Sequence, residues 1–341
     1  MATAEENLRD PWVDGLKTLA IVGVVWIHVA RATGAISVWM RFSVPVFVVL
    51  WAYYFENGIA KRSGDQQKTY LVGRIRKLII PYCVWSIFYA ANSEALSQSL
   101  VGNFSLMTVV KLFGGKGWPG QYFLLVLLQL VPVLLVIRAR ITERMIWILL
   151  GTALLFYAVV EFVFWGFPGI AAIGHRPFVY WLPYALIGIG LARGCFKAIP
   201  RVLAAIIALV AIIVAPYESS WSKLNLQDHS PYIQVSVLLM SIGIMLAWPV
   251  HGSTIPQTLK VSQQRWFGRW GFPLLRQIGS NTFPIFVMNP MVMYWLPGAL
   301  EADDMGAPEV LLRTTIVILI CWILGGIFRR LRLGVLLGEY R

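Results

Sequence analysis

Two ionisable residues, Lys17 and His28, stand in the first apolar segment of the chain. They are eleven residues apart, so in a helix with about 100° per residue they share one face and lie about 16 Å apart along the axis. Asp14 and Arg31 fall within about a quarter-turn of the same face. Ionisable groups inside a membrane span are costly and by default mark a functional site. This polar stripe is therefore the first candidate site.

The chemistry that His28 offers is proton or acyl transfer. An imidazole titrates near neutrality, so it can take a proton from a hydroxyl or receive an acyl group itself. A histidine in a span can also simply hydrogen-bond to a neighbouring helix and pack, and position alone does not separate the two interpretations. The face shared with Lys17 and Asp14 favours a functional role, because random polar residues in a span rarely align.

The second candidate is the basic run Arg74, Arg76 and Lys77 at the start of the third apolar segment. Clustered guanidinium groups suit phosphates through bidentate contacts. An ordinary topology anchor, attracted to anionic lipid, explains the same residues. Without other information the anchor is the better interpretation.

Aromatic residues, among them Trp118 and Tyr122, cluster in the turn that opens the fourth apolar segment. Such residues usually form the belt at a membrane interface. The same rings could stack on a sugar, but the belt is the safer prediction.

A carboxylate, Glu161, lies in the fifth apolar segment toward its end. Burying a carboxylate in a membrane is expensive, so Glu161 should pair or face water. His175 and Arg176, which follow in the next loop, are its candidate partners.

The composition defines the class of protein. Of 341 residues, 58% are hydrophobic and only 13% are charged, and the mean hydropathy is +0.69. These values exclude a soluble globular domain and predict a polytopic, all-α integral membrane protein. The polar N-terminus and the absence of a small-residue cleavage site predict that the first span is retained. The three cysteines show no metal-ligand spacing, and no metal site is expected.

About ten apolar stretches approach the roughly 20 residues needed to cross a bilayer. They lie near residues 16–33, 38–57, 76–92, 120–138, 144–165, 178–194, 200–216, 232–250, 279–298 and 309–328. Two long outer loops, about 93–119 and 217–231, and one long inner loop, 251–278, connect them. We expect a single membrane domain over residues 1–341.

The charge pattern predicts the orientation. Most of the 29 lysines and arginines fall in segments that face one side. Positive charge is retained in the cytoplasm, so an even number of spans with both termini cytoplasmic is expected. This asymmetry also explains the net charge of +13 without invoking nucleic acid.

The order of these features resembles the acyltransferase 3 family of bacterial membrane O-acyltransferases. Residues 14–20 followed by His28 are similar to its opening signature, an Arg or Lys ten intervening residues before a His. Residues 74–81 resemble its basic run leading into a proline-containing third span. Later landmarks are residues 118–123, 178–188 and 278–286, the last followed by Asn289-Pro290.

The resemblance implies an acyl donor, usually acetyl-CoA, bound from the cytoplasm, and a hydroxyl of a polysaccharide or lipid-linked glycan as acceptor. It implies catalysis by His28 with Lys17, and acyl-CoA binding by Arg74, Arg76 and Lys77. Asp14, Arg31, Trp118, Tyr122, Glu161 and Asn289 become supporting residues. The expected setting is the bacterial inner membrane, where a polysaccharide-synthesis or export complex could be a partner.

Two positions depart from the family pattern. The second span reads Val-Leu-Trp-Ala-Tyr-Tyr over residues 49–54, where a Ser-Gly pair is common. Asn289 stands where a late His before Pro is common, and an amide cannot titrate. Either the late His is not essential, or this protein handles its acceptor differently or has lost activity. Because His28 is retained, we favour an active enzyme.

Two non-enzymatic hypotheses compete with an acyltransferase: a polysaccharide exporter or flippase subunit, and a scaffold of a polysaccharide-synthesis complex. A transporter predicts inverted repeats and paired broken helices. Polar residues in the spans are sparse and concentrated in the first one, which favours a single reaction centre.

Overall fold

The computed structural model describes residues 11–30, 34–92, 109, 112–115, 117–164, 174–225, 232–248, 272–296 and 306–339. Within these ranges the chain is built of helices and turns, with no strand. The all-helical class predicted from composition is confirmed. Arg31 lies outside the described residues.

Twelve α-helices make up the described architecture. In chain order they are α1 (Pro11–Val29), α2 (Gly34–Trp39), α3 (Ser43–Ala60), α4 (Gly64–Ala91), α5 (Gln121–Arg138), α6 (Glu143–Val159), α7 (Leu182–Arg193), α8 (Arg201–Asn225), α9 (Val235–Ala247), α10 (Phe272–Ser280), α11 (Thr282–Trp295) and α12 (Ala307–Arg330). A 3₁₀ turn, Met40–Phe42, joins α2 to α3, and a π-helical turn, Val160–Phe164, ends α6.

Among the described residues, six helical stretches are long and apolar enough to cross a membrane. They are Trp12–Val29, Gly34–Ala60, Gln121–Arg138, Glu143–Val163, Arg201–Ser222 and Ala307–Arg330. The helices α7 and α9 are apolar but shorter. The chain is thus a multi-pass membrane protein.

Several predicted boundaries differ from the observed helices. The loop predicted at 217–231 is wrong in its first part, because α8 continues to Asn225. The span predicted at 279–298 is two helices, since α10 ends at Ser280 and α11 begins at Thr282. The third span starts earlier than predicted, because α4 already begins at Gly64 and runs through Pro81.

The helix that carries the polar stripe, α1, lies inside the bundle and packs against α3, α10, α11 and α12. Two glycines allow neighbouring segments to approach α1 closely. A Cβ on Gly23 would lie 2.0 Å from Ser43 Oγ, and one on Gly279 would lie 2.5 Å from the carbonyl oxygen of Asp14. Only a residue without a side chain fits these contacts. The stripe is consequently held among neighbouring helices.

Candidate active site

The imidazole of His28 is paired with Asn289 across the bundle. His28 Nδ1 lies 2.7 Å from Asn289 Oδ1. His28 ends α1 and Asn289 lies in the middle of α11, so the contact joins residues 261 positions apart. Asn289 is fully buried, whereas His28 is only partly buried. The structure therefore places the two residues that the sequence singled out at opposite ends of the chain in one site.

The backbone around Asn289 is opened by Pro290. A proline has no N–H, so the carbonyl of Phe286 has no helical donor. The side-chain Nδ2 of Asn289 donates to that carbonyl at 2.7 Å and to Ile285 O at 3.1 Å. One position further on, Met291 N donates to the hydroxyl of Tyr89 at 3.0 Å, and this hydroxyl donates to Val287 O at 2.7 Å. The opened turn is thus satisfied by two side chains.

This network determines which ring nitrogen of His28 is available. Because Nδ2 of Asn289 donates to two backbone carbonyls, Oδ1 is the atom that faces His28, and it can only accept. The proton of the neutral ring consequently sits on Nδ1. His28 Nε2 keeps its lone pair and is the nitrogen that can take a proton or an acyl group.

A cavity of about 750 Å³ opens at the other end of α1. Its volume lies within the range of pockets that bind small ligands. Val13, Asp14 and Lys17 of α1 line it, together with residues of α3, α4, α5 and α11. Leu337, Gly338 and Glu339, close to the C-terminus, complete the wall. The cavity lining does not reach His28.

The cavity wall is rich in cations. Its charged side chains are Lys17, Lys61, Arg74, Lys77, Asp14 and Glu339. The two acids are engaged with basic groups: Asp14 lies 3.4 Å from Lys17 Nζ, and Glu339 accepts from Arg329 at 2.6 to 3.0 Å. Guanidinium and ammonium groups in a partly enclosed cleft attract phosphate and carboxylate. With four basic and two acidic side chains, the cavity wall favours an anionic ligand over a cationic one.

Only part of the basic run faces this cavity. Arg74 and Lys77 line it, whereas Arg76 does not. Arg74 is half-buried, and Arg76 and Lys77 are exposed. In a helix, residues 74 and 77 are about 60° apart around the axis, and residue 76 is about 200° from residue 74. Arg74 is held in place because its Nε donates to the hydroxyl of Tyr70 at 2.9 Å.

Aromatic rings separate the cavity from the His28–Asn289 pair. Phe123 lines the inner end of the cavity. Its ring centroid lies 6.4 Å from that of Phe47 and 5.0 Å from that of Phe286. The carbonyl of Phe286 is the one to which Asn289 donates. Packed aromatic side chains thus lie between the cationic cavity and the His28–Asn289 pair.

The belt position predicted for Trp118 is wrong, because its ring is 5% exposed and lies inside the bundle. It stacks on Tyr89 with 5.0 Å between centroids and contacts Phe286 edge-on. The turn is held by Gln121, which accepts from Gly117 N at 2.6 Å and donates to Ser86 Oγ at 2.7 Å. Trp118 therefore supports the residues that position Asn289.

The other aromatic residue of this turn, Tyr122, belongs to a cluster with His175, Trp181 and Tyr232. Its ring centroid lies 4.2 Å from that of His175 and 5.9 Å from those of Trp181 and Tyr232. Burial, together with the nearby charge of Arg176, lowers the pKa of His175 to about 3. His175 is consequently neutral at physiological pH. We call these four residues the aromatic cluster.

Glu161 has partners other than those predicted. Its carboxylate accepts from Ser222 Oγ at 3.0 Å and from Val235 N at 3.2 Å. Glu218 accepts from the same Val235 N–H and from Ser236 N, both at 2.9 Å. The two acids cap the start of α9, where the positive end of the helix dipole favours them. The pairing of Glu161 with His175 or Arg176 is wrong, and its role is to join α6, α8 and α9.

Two residues of the site were not predicted from the sequence. Tyr89 completes the opened turn of α11, and Lys61 adds a cation to the cavity. Pro290 was a usable signal for the first, because a proline inside a span leaves a carbonyl that needs a donor. For Lys61, a usual inner-loop residue, the sequence offers no comparable signal.

Comparison with known protein families assigns the chain to one of them. The family model described as an acyltransferase domain, that of the acyltransferase 3 family, matches residues 10–326. The chain belongs to this family and is a membrane acyltransferase. Searches of curated proteins and of solved structures give no match.

Proposed function

We propose that this protein transfers an acyl group, acetyl in the simplest case, from cytoplasmic acyl-CoA to a hydroxyl of an extracytoplasmic or lipid-linked polysaccharide. In this proposal the chain crosses the bacterial inner membrane about ten times, with both termini in the cytoplasm. The cationic cavity then opens to the cytoplasm and His28 lies toward the opposite side. The positive-inside bias of the loops supports this orientation.

The observation that carries the proposal is that one helix, α1, bears both halves of the site. Asp14 and Lys17 line the cationic cavity, and His28 lies three turns further along. The axial distance of about 16 Å is one that the pantetheine arm of CoA could span. The phosphates of the donor would lie near Lys17, Arg74 and Lys77. Its thioester would reach the imidazole by displacing the ring of Phe123, which separates the cavity from the His28–Asn289 pair.

At the imidazole, Nε2 acts as a general base. It takes the proton of the acceptor hydroxyl as the oxygen attacks the thioester carbonyl. The carbon–sulfur bond breaks, the leaving thiolate takes the proton back from the ring, and the products are the ester and free CoA. The hydrogen bond from Nδ1–H to Asn289 holds the ring in the required tautomer throughout.

The exporter and scaffold hypotheses find no comparable support. A scaffold does not need a histidine in a defined tautomer, and an exporter does not need a phosphate-binding cavity at one end. Both remain outcomes of the experiment below.

The test is His28→Ala, assayed for transfer of radiolabelled acetyl from acetyl-CoA to the polysaccharide of the producing cell. We expect transfer to fall at least about 100-fold, because removing a general base costs that much or more. Acetyl-CoA binding should persist, because the cavity is untouched, and this serves as the internal control for folding.

Normal acetylation of the polysaccharide by His28→Ala would overturn the proposal. Loss of polysaccharide from the cell surface, with no acetylation by the unmodified protein either, would favour export. Loss of assembly of other synthesis proteins would favour a scaffold.

A further inference from the structure

The guanidinium of Arg41 is buried without a matching charge. Arg41 lies in the 3₁₀ turn between α2 and α3 and is only 4% exposed. Its Nε and Nη1 have no hydrogen-bond partner among the described residues. Because an unpaired buried charge is strongly unfavourable, a site of this kind requires an anion.

Two buried carboxylates in the described part of the chain are bound to groups other than Arg41. Glu56 is paired with Arg138 and Arg193, and Glu161 is bound to Ser222 and to the start of α9. The charge of Arg41 is therefore left for a ligand that the chain itself does not supply in its described part.

The surroundings of Arg41 suit a sugar. The 3₁₀ turn that holds Arg41 packs against α9, which begins three residues after Tyr232 of the aromatic cluster, and the charge of Arg41 acts on the Tyr232 side chain. Aromatic rings with polar edges are common walls of carbohydrate sites, because they offer apolar faces and hydrogen-bonding tips. Among the four rings, Tyr122 and His175 keep partial exposure.

The turn that holds Arg41 also packs against α1, the helix that carries His28. Met40 O and Ser43 pack against Gly23 of α1. Gly23 precedes His28 by five residues, which is about 7.5 Å along the helix axis. This separation is of the order of one sugar ring.

We propose that Arg41 binds a carboxylate of the acceptor, so that the enzyme acylates an acidic glycan, one that carries a uronic acid or another carboxyl-bearing sugar. This inference rests on the proposed function. Arg41 forms a charge-assisted pair with the carboxylate, the aromatic cluster contacts the sugar, and a hydroxyl about one residue away is presented to His28.

A lipid phosphate fits this position less well. Headgroups lie around the outside of a helical bundle, whereas Arg41 is covered by neighbouring side chains. The side chain on which its charge acts, Tyr232, belongs to the aromatic cluster, whereas phosphate sites usually gather several cations.

The experiment uses the full-length protein in nanodiscs and the surface polysaccharide of the producing cell as acceptor. This polysaccharide is offered in its native form and after chemical reduction of its carboxyl groups to alcohols. Unmodified protein, Arg41→Gln and Arg41→Lys are compared by kcat/KM for acetyl transfer. The exposed Lys68→Gln, on α4, controls for a general loss of cationic charge.

We expect the unmodified protein to prefer the native over the reduced polysaccharide by about 30-fold or more, as for loss of a buried charged pair. Arg41→Gln should abolish this preference by losing activity only on the native form, and Arg41→Lys should keep part of it. If the effects of replacing Arg41 and of reducing the glycan carboxyl groups are not additive in this way, the two groups interact with each other.

Three outcomes would overturn the inference. A polysaccharide that is acetylated but contains no carboxylate is one, and an equal loss by Arg41→Gln on both forms, which indicates a structural role, is another. The third is activity that depends on anionic phospholipid in the nanodisc and vanishes in Arg41→Gln whatever the acceptor. Failure of the unmodified protein to acetylate any form would instead reject the proposed function.

Discussion

At the scale of single residues, an asparagine has taken a position where a second histidine would be expected, and the structure explains how it serves. An amide has a donor and an acceptor at the same time. Asn289 uses the donor on the carbonyls of its own opened helix and the acceptor on His28. An ionised residue there could do only one of these tasks, because a carboxylate only accepts and an imidazolium only donates.

The importance of this pair can be measured with Asn289→Ala. We expect kcat to fall by about 100-fold, because a misplaced catalytic group costs that much, while KM for acetyl-CoA stays within twofold. Asn289→Asp should recover part of kcat, because it keeps the acceptor. An unchanged kcat in Asn289→Ala would show that Asn289 does not position the imidazole.

At the scale of elements, the face of α4 decides which basic residues belong to the cavity. The sequence presents Arg74, Arg76 and Lys77 as one run. The helix turns Arg74 and Lys77 toward the cavity and Arg76 away from it. The two interpretations that the sequence left open, phosphate binding and a topology anchor, therefore need not apply to all three residues alike.

This division leads to a matched comparison between Arg74→Gln/Lys77→Gln and Arg76→Gln. Each charge-assisted hydrogen bond to phosphate is worth more than a neutral one, so we expect the double variant to raise KM for acetyl-CoA at least about tenfold. Arg76→Gln should stay within twofold. Equal effects in the two proteins would return the whole run to the role of a topology anchor.

At the scale of the whole molecule, the bundle separates a cationic end from an aromatic end, and α1 runs between them. A buried titratable side chain stabilises the folded protein in only one of its protonation states. His175 lies in the aromatic cluster as a neutral ring, because its pKa is lowered to about 3. In the unfolded chain the same ring titrates near 6.5.

Acid should therefore destabilise the protein through His175. Between pH 6.5 and 3 the unfolded chain binds the extra proton, so stability falls as the pH falls through this range. At pH 5 the loss amounts to about 2 kcal/mol. His175→Phe keeps the ring contacts and cannot titrate, so its unfolding temperature in detergent should fall less than that of the unmodified protein between pH 7 and 5. Parallel decreases in the two proteins would contradict the neutral, buried state of His175.

The sequence was sufficient wherever composition or short-range periodicity carries the information. Apolar runs predicted a helical membrane protein, and helical spacing put Lys17 and His28 on one face of α1. Boundaries were less well predicted where proline or polar residues interrupt hydropathy, as at α4 and between α10 and α11. Hydropathy averages over a window, whereas a helix ends at one residue.

The sequence by itself determined the membrane class and the family, and it predicted that Lys17 and His28 share one helix, because these depend on residue type and local spacing. Only the tertiary structure decided that Asn289 faces His28, that Arg74 and Lys77 but not Arg76 line the cavity, and that Glu161 caps α9. It also showed that Nε and Nη1 of Arg41 are buried without a hydrogen-bond partner in the described part of the chain. Such facts depend on contacts between residues up to 261 positions apart. Helical spacing separates Arg76 from Arg74 and Lys77, but helix packing alone decides which face meets the cavity and which distant residues come together.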